Sequence, residues 1–218
     1  METIVNAYIG DGWYDKGSTR LRDTLFEQEW YNLITFRNVA INKYYNDDCR
    51  YTIKTAAMKE VISDGFKTIL WADCSLMAIK NPKAIFDKIK KDGIYVETNG
   101  YNAAQECSDA CLKYFDVTRD EAENIPMCSS GMLGFDITTD IGKSFINQFV
   151  QASIDGIFNG SREHNNQSSD SRFFHHRQDQ SVASIILYKL GYKIPELNTF
   201  LSYKGAEHKK TIFVCQGM

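Results

Sequence analysis

Only three prolines occur in 218 residues, and no Ser/Gly-rich stretch interrupts the chain. Collagen-like and Pro-rich classes are therefore excluded, and no linker marks a domain boundary. No run approaches the roughly 20 apolar residues a membrane-spanning helix needs, so no span is expected. Met1 to Ala7 lacks both a basic start and an apolar core; no secretory signal is expected there, and the cytoplasm is the expected compartment. Neither sign of charge dominates. Lys and Arg number 25 against 28 Asp and Glu, a net −3, which gives no broad electrostatic pull toward nucleic acid or anionic lipid, makes duplex DNA an unexpected partner, and leaves room only for a local basic groove. The six cysteines include no CxxC pair, and the four histidines do not surround them. Buried free thiols are expected rather than a zinc site, although Cys107 and Cys111 have the spacing of one helix face. GxGxxG, GxxxxGK[ST], HExxH, GxSxG and the kinase signatures are all missing, which argues against dinucleotide-binding Rossmann units and P-loop NTPases.

What remains is an alternation of strand-like and helix-like segments, the pattern of an α/β fold. Residues 3–9 (TIVNAYI) read as a first strand, broken by Gly10-Asp11-Gly12. Helical spacing follows over 18–30 and again over 51–63, where Gly65 supplies the stop. Residues 67–72 (KTILWA) read as a buried strand. Asn81-Pro82 opens a helix to about Lys91, ended by Gly93. A strand over 94–97, helices over 103–114 and 119–123, a strand over 131–135, a helix over 141–157, a helix over 178–190 and a strand over 211–215 complete the reading. Residues 159–172 form a polar loop of the length that functional lids often have.

Four places carry candidate chemistry. Asp73 directly follows the buried strand, so its carboxylate stands at the carboxyl edge of a sheet, where open α/β sheets bind ligands. Ser75, two residues on, can share a hard divalent cation with it. His175-His176-Arg177-Gln178-Asp179-Gln180 packs donors and acceptors in front of an apolar helix, where Asp179 also suits the helix dipole. Ser129-Ser130-Gly131 opens a strand, and Gly131 permits close approach of a ligand. Tyr8, Tyr14 and Arg20 near the first strand can stack a base and neutralise a phosphate.

Taken in order, these segments resemble a GT-A-fold glycosyltransferase, and the compact length resembles small viral and phage members. The parallels are Tyr8 to Arg20 for the first nucleotide unit, Leu70 to Ser75 for a short Asp-x-Asp motif, Ser129 to Asp136 for a Gly strand entry, and Asp179-Gln180 for the acceptor-side helix. The resemblance implies one Rossmann-type domain with a central, mostly parallel mixed sheet. Its nucleotide-binding part would span about 1–100 and its acceptor-side part about 101–218. It implies transfer of a hexose or deoxyhexose from a nucleoside-diphosphate sugar, most simply a UDP-sugar, to a glycan or other hydroxyl, with Mn²⁺ or Mg²⁺; for a viral chain the compartment would be the host cytoplasm. Tyr8, Tyr14, Arg20, Lys54, Asp73, Ser130, Gly131 and Gln180 would bind the donor. Asp73, Ser75 and His208 would hold the metal, with Ser75 standing where the family usually has a second Asp. Asp179 would be the base of an inverting reaction or, if configuration is retained, would line the donor with Gln180. A sugar-1-phosphate nucleotidyltransferase or a non-catalytic binding module of the same fold are the alternatives.

Overall fold

The computed structural model describes residues 1–26, 31–38, 42–159, 168–196 and 199–216. Positions 27–30, at the end of the expected first helix, and 160–167 of the expected polar loop lie outside the described residues. In chain order the first half contains β1 (Glu2–Tyr8), α1 (Trp13–Phe26), β2 (Leu33–Arg37), a 3-10 turn at Arg50–Thr52, α2 (Ile53–Ser63), β3 (Thr68–Ala72), β4 (Leu76–Ala78), α3 (Lys83–Asp92), β5 (Ile94–Tyr95) and β6 (Thr98–Asn102). The second half contains α4 (Ala103–Glu106), α5 (Asp109–Tyr114), α6 (Arg119–Ala122), β7 (Pro126–Cys128), β8 (Met132–Asp136), α7 (Asp140–Ile154), α8 (Gln178–Lys189), β9 (Leu201–Tyr203) and β10 (Phe213–Cys215).

The central sheet runs β2-β1-β3-β8-β5. Its pairings are parallel at β1–β2 and β1–β3 and antiparallel at β3–β8 and β8–β5, so the sheet is evenly mixed. Every residue of β3 and β8 is buried, because alternate side chains feed two apolar layers. Val5, Ile69, Trp71, Leu133 and Phe135 point into the layer under α2, α7 and α8. Ile4, Leu70, Ala72 and Met132 point into the layer under α1 and α3. A second sheet, β4-β10-β9, follows the turn at Asp73–Ser75 and brings the C-terminal strand beside it.

The expected 103–114 helix is two helices. Ser108 has extended backbone and its hydroxyl accepts the Cys111 N–H at 3.1 Å, starting a new helix after Cys107. Capping thus overrides the continuous apolar spacing. The expected 94–97 strand pairs only over two residues, and Pro82, not Asn81, is the capping residue of α3, with Asn81 Oδ1 accepting the Lys83 N–H.

One contact fixes the site turn. A Cβ on Gly17 of α1 would stand 2.3 Å from the Cys74 carbonyl oxygen, a backbone atom that cannot swing aside. Arg20 Nη2, one turn on, donates to the same carbonyl at 3.0 Å. Gly17→Ala is therefore expected to destabilise the protein by about 1–3 kcal/mol, read as a lowered midpoint in urea unfolding with the slope unchanged.

Candidate active site

At the carboxyl end of β3, three segments far apart in sequence meet around one buried ammonium. Lys54 lies on α2 among Ile53, Ala56 and Ala57 and is 5% exposed. Its Nζ is 2.6 Å from Asp179 Oδ2 and 3.7 Å from Asp73 Oδ1, donates to the Ser130 carbonyl at 2.8 Å, and lies 4.9 Å from the Trp71 ring centroid. Burial works against the charge on Lys54, but Asp179 and then Asp73 outweigh it and hold its pKa above the ordinary lysine value. A buried ion pair of this kind is kept only when its remaining partners are satisfied.

Asp73 is anchored and yet open. Its N–H donates to the Gly131 carbonyl at 2.9 Å and the Trp71 indole N–H donates to its Oδ1 at 2.5 Å. Its side chain is nevertheless 39% exposed. A Cβ at Gly131 would come within 3.2 Å of Asp73 Oδ2, so glycine there leaves that oxygen room for a ligand. Gln178, the first residue of α8, holds a left-handed backbone at φ 48° while buried. Such strain persists where surroundings over-determine it, commonly at working sites; here it precedes Asp179.

The donor-side expectations divide. Asp73, Ser130, Gly131, Lys54 and Asp179 are gathered at one place. Gln180 is beside them, buried, with its side-chain N–H₂ donating to Glu106 Oε2 at 3.1 Å. Arg20 reaches the turn through Cys74. Tyr14 is exposed and edge-on to Trp13. Tyr8, in contrast, is buried and donates to Asp15 at 2.8 Å; burial and then that carboxylate push its pKa up to about 12. Its ring is part of the packing under Asp15 and Arg37 rather than an open stacking surface. Ser75 adjoins Asp73, its carbonyl accepting the Gln216 N–H at 2.9 Å. His208 does not join them. Strand β10 is antiparallel to β4, so its C-terminal end meets Ser75, while His208 precedes its N-terminal end, beside Lys80. Among the described residues no group of three or more His, Cys, Asp or Glu could hold a metal ion.

The other carboxylates that could replace Asp179 are occupied. Glu97 accepts from the Tyr95 hydroxyl and the backbone of Thr199, Phe200 and Leu201. Asp136 accepts from Thr68 and Thr138, and Asp170 is clasped by Arg172. The adjacent histidines also part. His176 is fully buried, its Nδ1 accepting from Ser108 N and its Nε2 facing the Ile157 carbonyl at 3.0 Å, which fixes the Nε2–H tautomer. Burial pushes its pKa down to about 4. The unfolded chain then binds an extra proton between about pH 6.5 and pH 4, so stability is full above pH 6.5 and falls by up to about 3 kcal/mol on acidification through that window. His176→Gln should flatten this segment of a denaturation-versus-pH curve.

Trp71, Glu106 and the pairing of Lys54 carry no short-range signal. Trp71 reads as one more core residue, and Glu106 as a first-turn carboxylate.

No protein-family model matches the sequence, and no curated protein matches it. Solved structures do. Mouse xyloside xylosyltransferase 1 aligns over 99% of this chain and 97% of its own with TM-score 0.53 and 11% identity. The galactosyltransferase LgtC, in complex with donor and acceptor sugar analogues, aligns over 99% and 86% with TM-score 0.52 and 9% identity. The bifunctional glycosyltransferase WbbM aligns over 99% of this chain and 45% of its own, with TM-score 0.54 and 10% identity. With a central mixed sheet flanked by helices and these neighbours, the chain has the GT-A glycosyltransferase fold.

Proposed function

We propose that the protein is a glycosyltransferase that moves a sugar from a nucleoside-diphosphate sugar, with a UDP-sugar as the expected donor, to an acceptor hydroxyl. The observation that carries this reading is the Lys54–Asp73–Asp179 cluster, set where β3 ends and Gly131 leaves Asp73 room. Residues 1–100 supply most of the donor side and 101–218 the acceptor side. Tyr14 is the exposed ring available to the base. Lys54 supplies positive charge beside a departing diphosphate, and its partners fix it there in advance.

The residues present suit a hard divalent cation only in part. Asp73 Oδ2 and Ser75 are oxygen donors of the right kind, yet they are two, and His208 stands elsewhere. Mn²⁺ or Mg²⁺ held by Asp73 would therefore complete its shell with diphosphate oxygens, and would supply charge neutralisation of the leaving group. In the reaction the bond from the anomeric carbon to the diphosphate oxygen breaks with its electron pair leaving on oxygen. The acceptor oxygen bonds to that carbon and passes its proton to the departing diphosphate oxygen, which leaves with the electron pair that accepts it. Asp179 belongs to the donor side in this scheme. It is 4% exposed with one oxygen committed to Lys54, whereas the free base of an inverting reaction must present an oxygen to the acceptor. The expected inversion through Asp179 is thus the less favoured role.

UDP and Mn²⁺ together should raise the melting temperature more than either alone. At a hundredfold excess over the dissociation constant the gain is about 2.7 kcal/mol. Asp73→Asn should remove most of it; equal stabilisation of variant and wild type would overturn the assignment.

A further inference from the structure

His208, Lys209 and Lys210 stand away from Asp73 and belong to a second feature of the surface. Residues 79–92, which include α3, and residues 203–212, which lead from β9 to β10, together hold eight lysines, three acids and no arginine in a chain of net −3. Positive charge is therefore concentrated here and the rest of the molecule is acidic. Both segments cover one apolar layer, in which Ile85, Phe86, Ile212 and Phe213 pack together. The Ile79 N–H donates to the Ile212 carbonyl at 2.8 Å, and Lys80 Nζ donates to the Lys209 carbonyl at 2.5 Å. Lys80 is thereby held beside Lys209-Lys210. The turn is built from within: Thr211 Oγ1 accepts the His208 N–H at 2.9 Å, and His208 Nδ1 accepts the Lys210 N–H at 3.2 Å. On α3, Lys83, Lys88 and Lys90 are answered by Asp87, Asp92 and Glu2. Lys80, Lys209 and Lys210 are exposed and form no ion pair among the described residues. Glu207, the one acid of the turn, accepts the Gly205 N–H at 2.9 Å. Beside these three lysines Ile79 is exposed at 37%, an aliphatic side chain left in water.

We propose that Lys80, Lys209 and Lys210, with Ile79 among them, form a docking face for an anionic membrane surface, on which the protein sits without spanning it. Charge complementarity names an acidic partner, and the residue types select a bilayer. Lysine is a hydrated point charge on a flexible stem, suited to a diffuse layer of headgroups, whereas paired contacts to a defined phosphate call for the arginine fork this face lacks. Its apolar member is an aliphatic chain, which gains by entering the headgroup–acyl boundary, and not a ring that stacks on a base. Each lysine near a phosphatidylserine-rich surface raises affinity about fivefold, so three give about a hundredfold, enough for reversible and salt-sensitive docking. The acidic remainder of the chain is repelled by the same surface, which orients the molecule with this face down. Strand β4 begins directly after Ser75 and Ile79 follows its last residue. At about 3.3 Å per residue, the turn that holds Asp73 therefore stays within about 15 Å of the headgroups.

The test is co-sedimentation of the full chain with vesicles of phosphatidylcholine alone or with about 30% phosphatidylserine, at about 50 mM and about 300 mM salt. Binding is expected only with phosphatidylserine and should fade at the higher salt. Lys80→Glu, Lys209→Glu and Lys210→Glu combined should weaken it by at least about a hundredfold. A control with the same net charge, Lys59→Glu, Lys113→Glu and Lys143→Glu on α2, α5 and α7, should keep most of it, because those helices cover the other apolar layer. Ile79→Ser should weaken binding about fivefold at either salt concentration. No preference for phosphatidylserine, equal loss in the two triple variants, or binding unmoved by Ile79→Ser overturns the docking face. So does a labelled nucleic-acid duplex that the same three lysines hold more tightly than they hold vesicles. None of these measurements needs a nucleotide sugar, so their outcome is separate from that of the transferase reading.

Discussion

Replacing Lys54 with Met is expected to destabilise the protein by about 3–5 kcal/mol and to abolish binding of the nucleotide sugar. The stability term follows from what is left behind. Asp179 would keep a buried carboxylate with no ammonium at 2.6 Å, and breaking a buried pair from one side carries a cost of that size. Removing both charges should be much milder, since an apolar pair of similar volume often replaces a buried ion pair without loss. Lys54→Met combined with Asp179→Leu is thus expected to regain most of the stability and none of the donor binding. Urea unfolding of the four members of this cycle measures the coupling directly, and calorimetric titration with UDP-sugar measures the function. A loss below about 1 kcal/mol in the single variant would show that Asp179 finds water or another cation, and that the pair is not what holds α2 to α8.

Asp179→Asn separates two roles for one carboxylate. If Asp179 acts through Lys54, the variant should lose transfer by at least about 10², weaken donor affinity by about tenfold, and unfold more easily. Lys54 would then retain only the more distant Asp73 and the Ser130 carbonyl. If Asp179 were the free base, transfer would fall by about 10² to 10⁴ with donor affinity unchanged. Transfer, donor affinity and melting temperature on one variant decide between them. The anomeric configuration of the product, read by NMR, gives the stereochemistry independently.

The frame of this site is legible in the sequence because its strands are buried on both faces. Residues 67–72 read as an apolar run and 131–135 as a weaker, small-residue strand, and their ends mark Asp73 and Gly131 from residue order alone. The edge strand β2 is illegible for the opposite reason: it is half-buried, alternating irregularly, and β6 (TNGYN) is mostly polar and partly exposed, pairing with the distant β7. Lys54 shows what spacing cannot deliver. A lysine on an apolar helix face ordinarily reaches for solvent. Here it stays inside because a carboxylate 125 positions later closes over it, and pairings of that range have no local signature. Glu106 is hidden likewise, its partners Asn99, His175 and Gln180 converging only after the expected helix breaks at Ser108. For His208, nearness to the C-terminus in sequence does not translate into nearness to Asp73. The antiparallel return of β10 puts the chain's last described residue, not His208, beside Ser75.

Five of the six cysteines are buried, and Cys215 alone is partly exposed. Burial drives the thiols of Cys74 and Cys128 up to about 11 and about 12, leaving both almost wholly protonated and slow toward alkylating reagents. A maleimide dye applied to the native protein therefore has one preferred point of attachment. That point is the last residue of β10, paired with Leu76 one step beyond Ser75. The unmodified sequence thus carries its own fluorescence reporter a few ångströms from the turn that holds Asp73, and stopped-flow kinetics of donor arrival can be recorded without engineering a single codon.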